Sequence, residues 1–392
     1  MKILMINVSC GTGSTGRICT DLAEALEKKG HTVKIGYGRD AVAQKNEKYA
    51  VKIGNDIDVY SHVLQARLFD RMGFGSKRAT EKFIEWVKEY DPDVIHLHNI
   101  HGYYINIEVL FNYLKKCGKK IIWTLHDCWA FTGHCAYFDF IGCNKWTIGC
   151  NHCTQKTEYP ARIGVDCSKR NYQIKEELFT GVHNLTIVTP SNWLAELLRN
   201  SFLAEYPVKV IHNGIDTNVF AETKSNIKEQ FGISKDKKIV LGVASVWDRR
   251  KGLEDFIKLS KLLDDKYVIV LIGLNKKQID KLPENVLGVE RTENINELVD
   301  WYSAADVFVN PTYEDNYPTT NLEAISCGTP VITYDTGGSS ESAYYFGAVA
   351  TKKDSDSIRS LLNANFQYKE CNLSYFETVK AYCELYYEIN LN

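Results

Sequence analysis

The chain has 392 residues, of which 44% are hydrophobic and 24% charged, and its formal net charge at pH 7 is -2. This composition predicts a soluble globular protein of about two or three domains, and the balanced charge argues against a nucleic-acid partner. The N-terminal apolar run is short and ends in glycine, and no run approaches the roughly 20 apolar residues of a spanning helix. We therefore expect a cytoplasmic protein without a signal peptide, whose 12 cysteines are free thiols by default.

Strand-like apolar runs alternate with amphipathic helical stretches along the first half of the chain. Residues 2–8 are apolar at nearly every position, as expected for a parallel strand that is covered on both faces. A helix is predicted from Ile18 to Lys29, with Gly30 as its stop signal. The strand series then continues with the segments HTVKIGYG, VIHLHNI, KKIIWTLHD and LTIVTPS.

The same alternation restarts near Lys238, with the strands KIVLGVAS, YVIVLIG, DVFVNPT and PVITYD. Two consecutive series predict an α/β fold with two doubly wound, Rossmann-like domains, since parallel strands need helical crossovers. We predict an N-terminal domain over residues 1–213, a linker over 214–237, a second domain over 238–374, and a C-terminal helix over 375–392 that packs back on the first domain. Because such sheets bind ligands at the carboxyl ends of their strands, a cleft between two facing domains is the expected active site.

A glycine-rich turn follows the first strand. Gly11, Gly13 and Gly16 match the G-x-G-x-x-G pattern, in which glycines allow close backbone approach and a helix N-terminus favours an anion. The dinucleotide version of the pattern needs an acid at the end of the second strand, but that strand ends with Arg39, and Asp40 comes only beyond it. An NADP-dependent oxidoreductase that uses this loop and Arg39 is therefore the alternative function. A loop that admits a substrate to the backbone is favoured, and a tight turn without a ligand is the third interpretation.

Two motifs of the second domain follow predicted strands. Arg250 and Lys251 come after the first of these strands, where a guanidinium fork and an ammonium charge could hold a diphosphate, although a solvated basic turn is the alternative. A later strand leads through an acidic loop into a helix that is predicted to begin near Thr319 or Thr320. Glu323 lies about one turn into that helix, whose N-terminal amides could receive phosphate.

Together these motifs resemble the retaining family 4 glycosyltransferases of the GT-B fold, and the resemblance covers essentially the whole chain. It is carried by short segments whose order and spacing match: the glycine-rich loop, TLHD at 124–127, TPSNW at 189–193, IHNGID at 211–216, RKG at 250–252, and the acid-x7-acid segment followed by EAISCGTPVI and TGGSSE. The variants HNIHGYY, WTLHDCWAFTGHCAYF and VWDRRKG are most similar to bacterial capsule, exopolysaccharide and colanic-acid-type transferases.

The resemblance implies transfer of a hexose-like unit, with retention of configuration, from a nucleotide-sugar donor to a glycan or lipid-linked acceptor in polysaccharide biosynthesis. It implies acceptor binding mainly by the first domain and donor binding mainly by the second. No metal or other cofactor is required for catalysis, because protein cations hold the diphosphate. The residues it singles out are His126 and Asp315 as catalytic groups; Arg250, Lys251, Glu323, Thr320, Asn321, Gly13 and Gly16 for the donor; and Asp127 and Ser14 on the acceptor side.

The sequence departs from the family pattern at two places. The usual Glu-x7-Glu motif here has Asp315 eight positions before Glu323, with Glu314 as the alternative first acid. The Gly-Arg pair that usually precedes the Lys-Gly turn is replaced by Ser-Val, so Arg250 is taken as the substitute. For His126, a histidine that caps a loop is the alternative to a sugar-facing group.

A cysteine-rich stretch, residues 128–167, breaks the alternation and is predicted to be an elaborated loop. A structural zinc site would stabilise a loop with so little periodicity, and buried free thiols are the alternative. The predicted ligands, with His134 and His152 as alternatives, are Cys135, Cys143, Cys150 and Cys153. A non-enzymatic, zinc-stabilised binding module built on this loop is a further hypothesis, but it leaves the motifs of the second domain unexplained.

Cations and apolar residues are interleaved between Arg67 and Arg78, where Phe69, Met72 and Phe74 lie among four cations. Such a segment could contact an anionic membrane that carries lipid-linked acceptors, which would place the protein peripherally at the inner face of the membrane. A solvated helix end is the alternative.

Overall fold

The computed structural model describes residues 1–388, and the chain divides into two compact units. The first unit comprises Met1–His212 together with the chain from Thr378 onward, and the second comprises Asn213–Glu377. The chain therefore leaves the first unit, builds the second, and returns for its last helix.

The first unit is built on parallel strands. They are β1 (Lys2–Ile6), β2 (Thr32–Tyr37), β3 (Ala50–Lys52), β4 (Val94–Leu97), β5 (Lys120–Thr124), β6 (Leu185–Thr189) and β7 (Val208–Val210). Within the described residues they form one seven-stranded sheet in the order β3-β2-β1-β4-β5-β6-β7. The helices of this unit are α1 (Gly13–Lys28), α2 (Asp56–Phe69), α3 (Lys77–Tyr90), α4 (Ile107–Leu114), α5 (Ser168–Phe179) and α6 (Asn192–Arg199). The central strands β4 and β6 are buried at every position, as predicted for strands whose two faces are both covered.

The second unit repeats this architecture. Its strands are β8 (Lys238–Val243), β9 (Tyr267–Ile272), β10 (Val286–Val289), β11 (Val307–Asn310), β12 (Val331–Tyr334) and β13 (Gly347–Ala350). They form, in the part of the chain that the structure describes, a six-stranded parallel sheet in the order β10-β9-β8-β11-β12-β13. The accompanying helices are α7 (Ile227–Gln230), α8 (Leu253–Ser260), α9 (Lys276–Ile279), α10 (Ile295–Ala304), α11 (Thr319–Ser326), α12 (Ser339–Ala343) and α13 (Ser355–Leu361). The two parallel sheets confirm the predicted α/β class.

Residues 214–237, for which the sequence predicts a linker, lie within the second unit. Ile215, Phe220 and Ile227 are buried in its core, and Ile215 N donates to the Leu373 carbonyl at 2.9 Å. The segment has a charged composition, but it contains a few widely spaced apolar residues. Because these residues are buried in the second unit's core, the segment packs with that unit.

The last helix, α14 (Tyr375–Tyr387), is counted with the first unit from Thr378 onward. Tyr382 and Tyr386 on this helix are buried, and the Tyr386 hydroxyl lies 2.7 Å from Nδ1 of His96 on β4. The end of the predicted helix, residues 389–392, lies outside the described residues.

One helix boundary differs from the sequence pattern. Helix α1 begins at Gly13, earlier than the predicted Ile18, because the glycine-rich turn itself forms the first helical turn after extended Thr12. The cysteine-rich stretch 128–167 is irregular as predicted, with only three-residue 3-10 turns inside the described chain. Among residues 1–388, no helix has both the length and the apolar character needed to cross a bilayer.

Candidate active site

Two histidines meet at the carboxyl edge of the first sheet. His98 follows β4 and His126 follows the neighbouring strand β5, so the parallel pairing of these strands brings together residues that are 28 positions apart. His98 Nδ1 lies 3.0 Å from His126 Nε2, and the two rings are nearly coplanar, with 12° between their planes. Burial lowers the pKa of His126 to about 4 and the pKa of His98 well below its usual value. Both rings are therefore neutral at pH 7.

A third histidine of this edge is paired with an acid. His101 Nε2 lies 2.9 Å from Asp127 Oδ2, and the Trp129 amide donates to Asp127 Oδ1 at 2.9 Å. Burial acts to raise the pKa of Asp127, but the charge and hydrogen bond of His101 outweigh it, so the pKa lies below its usual value. Asp127, the predicted acceptor-side acid, is thus held beside His126 by two contacts. His98, His101, His126 and Asp127 line one small cavity of about 10 Å³.

The predicted residues of the glycine-rich turn differ in their exposure to solvent. Gly13 and Ser14 are exposed, and a Cβ built on Gly13 would meet no atom within 4 Å. Gly16 is buried, and a Cβ there would lie 2.6 Å from Ser9 Oγ. Gly16 therefore allows the turn to pack against the end of β1, whereas Gly13 and Ser14 are accessible to a substrate.

In the second unit, the basic turn after β8 is fastened to the acidic loop after β11. Asp248 Oδ1 accepts a hydrogen bond from the Lys251 amide at 3.0 Å and so caps the short turn. Lys251 Nζ forms an ion pair with Asp315, and Arg250 Nη1 donates to the Glu314 carbonyl at 2.6 Å. Because β8 and β11 are adjacent in the sheet, these contacts join the carboxyl ends of two neighbouring strands.

The two candidate acids of this loop have different surroundings. Asp315 is half-buried. Its burial acts to raise its pKa, but the charges of Lys251 and Arg250 outweigh this, and the pKa lies below the usual range. Glu314 is fully buried. Asp315 is thus an ionised, partly accessible carboxylate beside a cation, while the Glu314 side chain is enclosed by protein.

Helix α11 begins at Thr319, as the sequence predicts, with half-buried Thr320 in its first turn. No side chain caps its N-terminus, and its first turn contains no acid. Glu323, one turn in, is buried, and its Oε2 accepts a hydrogen bond from the Tyr302 hydroxyl at 3.0 Å. The helix start is therefore suited to an anion, with Glu323 held in place beneath it.

The Asn321 side chain, which the sequence predicts to bind the donor, is fully buried. Its Oδ1 accepts from Asn310 Nδ2 at 2.8 Å, and its Nδ2 donates to Ser342 Oγ at 2.8 Å. Because all these partners belong to the second unit's own framework, the Asn321 side chain fastens α11 to β11 and α12 instead of facing a ligand.

A glycine of the TGGSSE segment packs directly on the acidic loop. Gly337 has a φ of +53°, and a Cβ at this position would lie 1.9 Å from the Asp315 carbonyl oxygen. The next amide, that of Gly338, donates to the same oxygen at 3.0 Å. Only glycine at position 337 allows the chain to support the backbone of Asp315 in this way.

The four predicted zinc ligands lie close enough to influence one another's ionisation. A hydrogen bond from Cys135 to Cys153 lowers the pKa of Cys153 to about 6 and raises that of Cys135. Among residues 1–388, however, no three or more His, Cys, Asp or Glu side chains are arranged as a group that could hold a metal ion. The structural zinc site therefore stays a prediction from the cysteine spacing.

A buried lysine anchors the start of the cysteine-rich loop. Lys175 Nζ donates to the carbonyls of Trp129 and Thr132 at 2.7 and 3.0 Å and lies 3.3 Å from the centre of the Trp129 ring. Burial lowers its pKa to about 7. No sequence pattern marks this residue, because a lysine on a polar helix ordinarily faces solvent.

The comparisons with known proteins establish the family of the chain. Residues 15–219, more than half of the chain, match the model of Glycosyltransferase Family 4, and residues 223–364 match that of Glycosyl transferases group 1. The chain belongs to glycosyltransferase family 4. Its glycine-rich loop is thereby part of a glycosyltransferase, and the oxidoreductase alternative has no support.

Individual relatives show how far the similarity extends. The family 4 chain is 27% identical over 347 residues to the Escherichia coli protein described as colanic acid biosynthesis glycosyl transferase WcaC, covering 85% of this chain and 82% of the relative. It is 28% identical over 208 residues to an N,N'-diacetylbacillosaminyl-diphospho-undecaprenol alpha-1,3-N-acetylgalactosaminyltransferase of Campylobacter jejuni, covering 50% of this chain and 54% of that one. The crystal structure of Anabaena HepE in complex with UDP superposes with a TM-score of 0.64 at 15% identity, over 99% and 96% of the two chains. These likenesses confirm the GT-B fold and the predicted resemblance to colanic-acid-type enzymes.

Sequence patterns alone do not identify several residues of the candidate site. His98 and His101 lie in the segment HNIHGYY, which carried the resemblance but received no role. The spacing of His96 and His98 was a usable signal, since residues two apart on a strand share one face. No comparable signal marks Gly337. A side chain at this position would collide with the carbonyl oxygen of Asp315, which lies 22 residues earlier in the chain.

We predict that Gly337→Ala lowers the turnover of the glycosyltransferase by at least about 10-fold, because the added methyl group must displace the backbone of Asp315. Gly232→Ala is the matched control, since Gly232 has a similar positive φ of +66° but open space around its Cβ position. Both variants carry the strain of a non-glycine residue at positive φ, about 1 kcal/mol. Turnover per folded molecule and thermal melting separate the two effects. Equal turnover of the two variants would contradict a supporting role for Gly337.

We predict about one zinc ion per chain in the cysteine-rich loop, measured by elemental analysis of protein prepared without chelators. The double variant Cys150→Ser/Cys153→Ser should then lose the metal and melt at a lower temperature, with less effect on the turnover of molecules that remain folded. The double variant Cys117→Ser/Cys371→Ser, outside the loop, is the control for cysteine replacement. Metal-free wild-type protein would rule the zinc site out.

Proposed function

We propose that this glycosyltransferase moves a hexose from a nucleotide-sugar donor, with retention of configuration, to a glycan or lipid-linked acceptor in polysaccharide assembly. The observation that carries the proposal is the Lys251–Asp315 pair beside the uncapped start of α11, at the carboxyl edge of the second sheet. The UDP in the HepE complex and the diphospho-undecaprenol-linked acceptor in the name of the Campylobacter relative support the two substrate classes.

The charges of the second unit suit a diphosphate leaving group. An ammonium group carries three donors, so Lys251 can bind a phosphate oxygen while it remains on Asp315. The N-terminal amides of α11 add a second source of positive potential, and Arg250 a third. Preorganised donors of this kind stabilise the negative charge that develops as the glycosidic bond breaks. The protein thereby supplies the charge that a divalent ion provides in other transferases, and turnover is expected to persist in EDTA.

The acids of the second unit have separate roles in this proposal. Asp315 orients the donor sugar and opposes the positive character that grows at the anomeric carbon. Glu323, which the Tyr302 hydroxyl holds at 3.0 Å, receives the ribose hydroxyls of the nucleotide. The ribose contacts change little during the reaction, so Glu323 contributes mainly to donor binding. The sugar contacts change most, so Asp315 contributes mainly to the rate of the reaction.

His126 is the group that the first unit supplies for the sugar or the acceptor. Its ring is neutral near pH 7, so it acts through hydrogen bonds and not as a cation. His126→Ala is therefore expected to lower turnover while it leaves nucleotide affinity nearly unchanged, because no residue of the proposed nucleotide site belongs to this unit's histidine edge.

We predict that Asp315→Asn lowers kcat about 10- to 150-fold, the cost of one charge-assisted hydrogen bond, while Glu323→Gln mainly raises the KM for the donor. The measurement is nucleotide release from a panel of UDP-, GDP- and ADP-sugars, with and without EDTA. Asp335→Asn, which removes an exposed acid after β12, controls for net charge.

Glu314→Gln tests the register of the acidic motif. It should leave kcat close to that of the wild type, provided that thermal melting shows a folded protein. An inactive Glu314→Gln variant together with an active Asp315→Asn variant would shift the alignment by one residue. Binding of NADPH without turnover of any nucleotide-sugar would overturn the proposed function as a whole.

We further propose that the first unit contacts an anionic membrane, through a surface that differs from the one predicted. Met72 and Phe74 are buried in the core and cannot reach a lipid, so of the three predicted apolar residues only Phe69 is exposed. The exposed apolar residues instead continue along α2, where Ile57, Tyr60 and Leu64 are spaced three and four positions apart on one face.

A second segment extends this apolar surface of α2. Ile163 N donates to the Arg67 carbonyl at 2.9 Å and Val165 N to the Leu68 carbonyl at 3.2 Å, so the exposed side chains of Ile163 and Val165 lie beside the end of the helix. Exposed cations lie close in sequence to both apolar segments. They are Arg67, Lys77 and Arg78 near α2, and Lys169 and Arg170 after Val165. Apolar side chains flanked by cations match an interfacial surface on an anionic bilayer.

We predict that the protein floats with vesicles of phosphatidylglycerol and phosphatidylcholine but not with phosphatidylcholine alone. Ile57→Glu should lower the bound fraction at least about 10-fold, because it removes an apolar contact and adds a repelled charge. Ile295→Glu, which changes another exposed isoleucine at a helix start in the second unit, is the control. Equal flotation of the two variants would place the membrane contact elsewhere.

A further inference from the structure

His98 forms a hydrogen bond with His126 through one ring nitrogen, while its other ring nitrogen has no partner among the described residues. His98 Nδ1 lies 3.0 Å from His126 Nε2, so one of these two nitrogens carries the proton between them. His98 is 1% exposed, and in the described residues no group forms a hydrogen bond with its other nitrogen, Nε2. The ring nitrogen that carries the proton in neutral His98 therefore determines which ring nitrogen carries it in neutral His126.

Two neutral arrangements are available to the pair. In the first, His98 Nδ1–H donates to His126 Nε2, and His126 then carries its own proton on Nδ1. In the second, His126 Nε2–H donates to His98 Nδ1, and His98 must carry a proton on Nε2, where a buried N–H would have no acceptor. Orphaned buried N–H groups are rarer in proteins than unsatisfied acceptors, so the first arrangement is favoured.

The surroundings of His98 keep it in place. The Trp123 indole N–H donates to the His98 carbonyl at 3.2 Å, and the His96 ring packs against the His98 ring with centroids 4.1 Å apart. His96 is itself held by Tyr386 of α14 at 2.7 Å and by Thr124 at 2.8 Å. The His98 ring therefore presents a fixed edge to His126.

Resting on the proposed function, we infer that His98 is a positioning residue that holds His126 as the Nδ1–H tautomer, so that His126 donates a hydrogen bond to a hydroxyl oxygen of the substrate. His126 Nε2 accepts the bond from His98, and Nδ1–H is the group that remains for the sugar or acceptor. His126 thereby serves as a neutral donor and not as a general base.

The surroundings of His126 agree with a neutral ring. Burial is the largest effect and lowers its pKa; Asp127 favours the protonated form, and His101 opposes it. Because the resulting pKa of about 4 lies far below neutrality, the rate of transfer should show no titration of His126 between about pH 5.5 and 8.

The tautomer can be read without any substrate. Protein labelled with 15N in its histidine rings gives NMR shifts that distinguish a protonated from an unprotonated ring nitrogen, and His98→Asn and His126→Asn identify the two signals. We expect protons on Nδ1 of both His98 and His126 at pH 7. A proton on His126 Nε2, or a charged His126, would overturn the inference, whatever the outcome of the activity assays.

Kinetics then test the effect on the reaction. His98→Leu keeps a similar shape but removes the donor, and it should lower kcat about 10-fold with the KM for the donor sugar nearly unchanged. His98→Asn should recover most of this loss, because the amide nitrogen of asparagine is attached to Cγ as Nδ1 of histidine is. A purely structural role predicts instead that both variants lose activity in proportion to their melting temperatures.

The two proposals fail in different ways. If no nucleotide-sugar is turned over, the proposed function fails, while the NMR result still decides the tautomer. If transfer occurs and His98→Leu is as active as the wild type, the positioning role fails and the proposed function stands. His183→Asn, an exposed histidine of the same unit, is the control for histidine replacement.

Discussion

Parallel pairing of strands is the constraint on which both halves of this molecule depend. When neighbouring strands run in the same direction, the residues that follow them emerge at one edge of the sheet. In the first unit this places His98 beside His126, and in the second it places Lys251 beside Asp315. Each pair is far apart in the chain, and each is held by a direct contact between loops that follow adjacent strands. The chemistry of the enzyme is thus assembled by topology before any substrate binds.

The two edges differ in their electrostatics. At the first edge, burial keeps His98 and His126 neutral, and the carboxylate of Asp127 lies 2.9 Å from His101. At the second edge, the cations of the basic turn outweigh the burial of Asp315 and keep its carboxylate ionised. A neutral edge suits hydroxyl groups, which need oriented donors and acceptors, whereas a charged edge suits a diphosphate and a developing cation. This contrast supports the proposed division between an acceptor-binding and a donor-binding unit.

The cysteine-rich loop shows how irregular chain can be held without strands or long helices. Lys175 fastens its start through two carbonyls and the face of Trp129. Asp70 holds its end, since Asp70 Oδ2 accepts from the Cys167 amide at 3.0 Å. His134, near the start of the loop, also pairs with Asp70. These buried polar contacts connect the loop to α2 and α5, so the loop is part of the first unit's framework.

Much of this arrangement could be predicted from the sequence, because it depends on local patterns. The alternation of apolar runs and amphipathic stretches determined the two parallel sheets, and the order of short motifs determined family 4. The start of α11 followed from the strand and the acidic loop that precede it. The positions of His126, Asp315 and Lys251 followed from the strands that precede them, since the end of a strand is a local property.

Other features depended on contacts between distant segments, which no local pattern encodes. The burial of Asn321 is decided by α12, and the need for glycine at 337 by the backbone of Asp315. The attachment of residues 214–237 to the second unit follows from a few apolar side chains within a charged segment. The partner of His126 is likewise decided by the pairing of β4 with β5. The sequence alone determined which residues end the strands, but only the tertiary structure decided which of those ends touch, because contact depends on the order of the strands in the sheet.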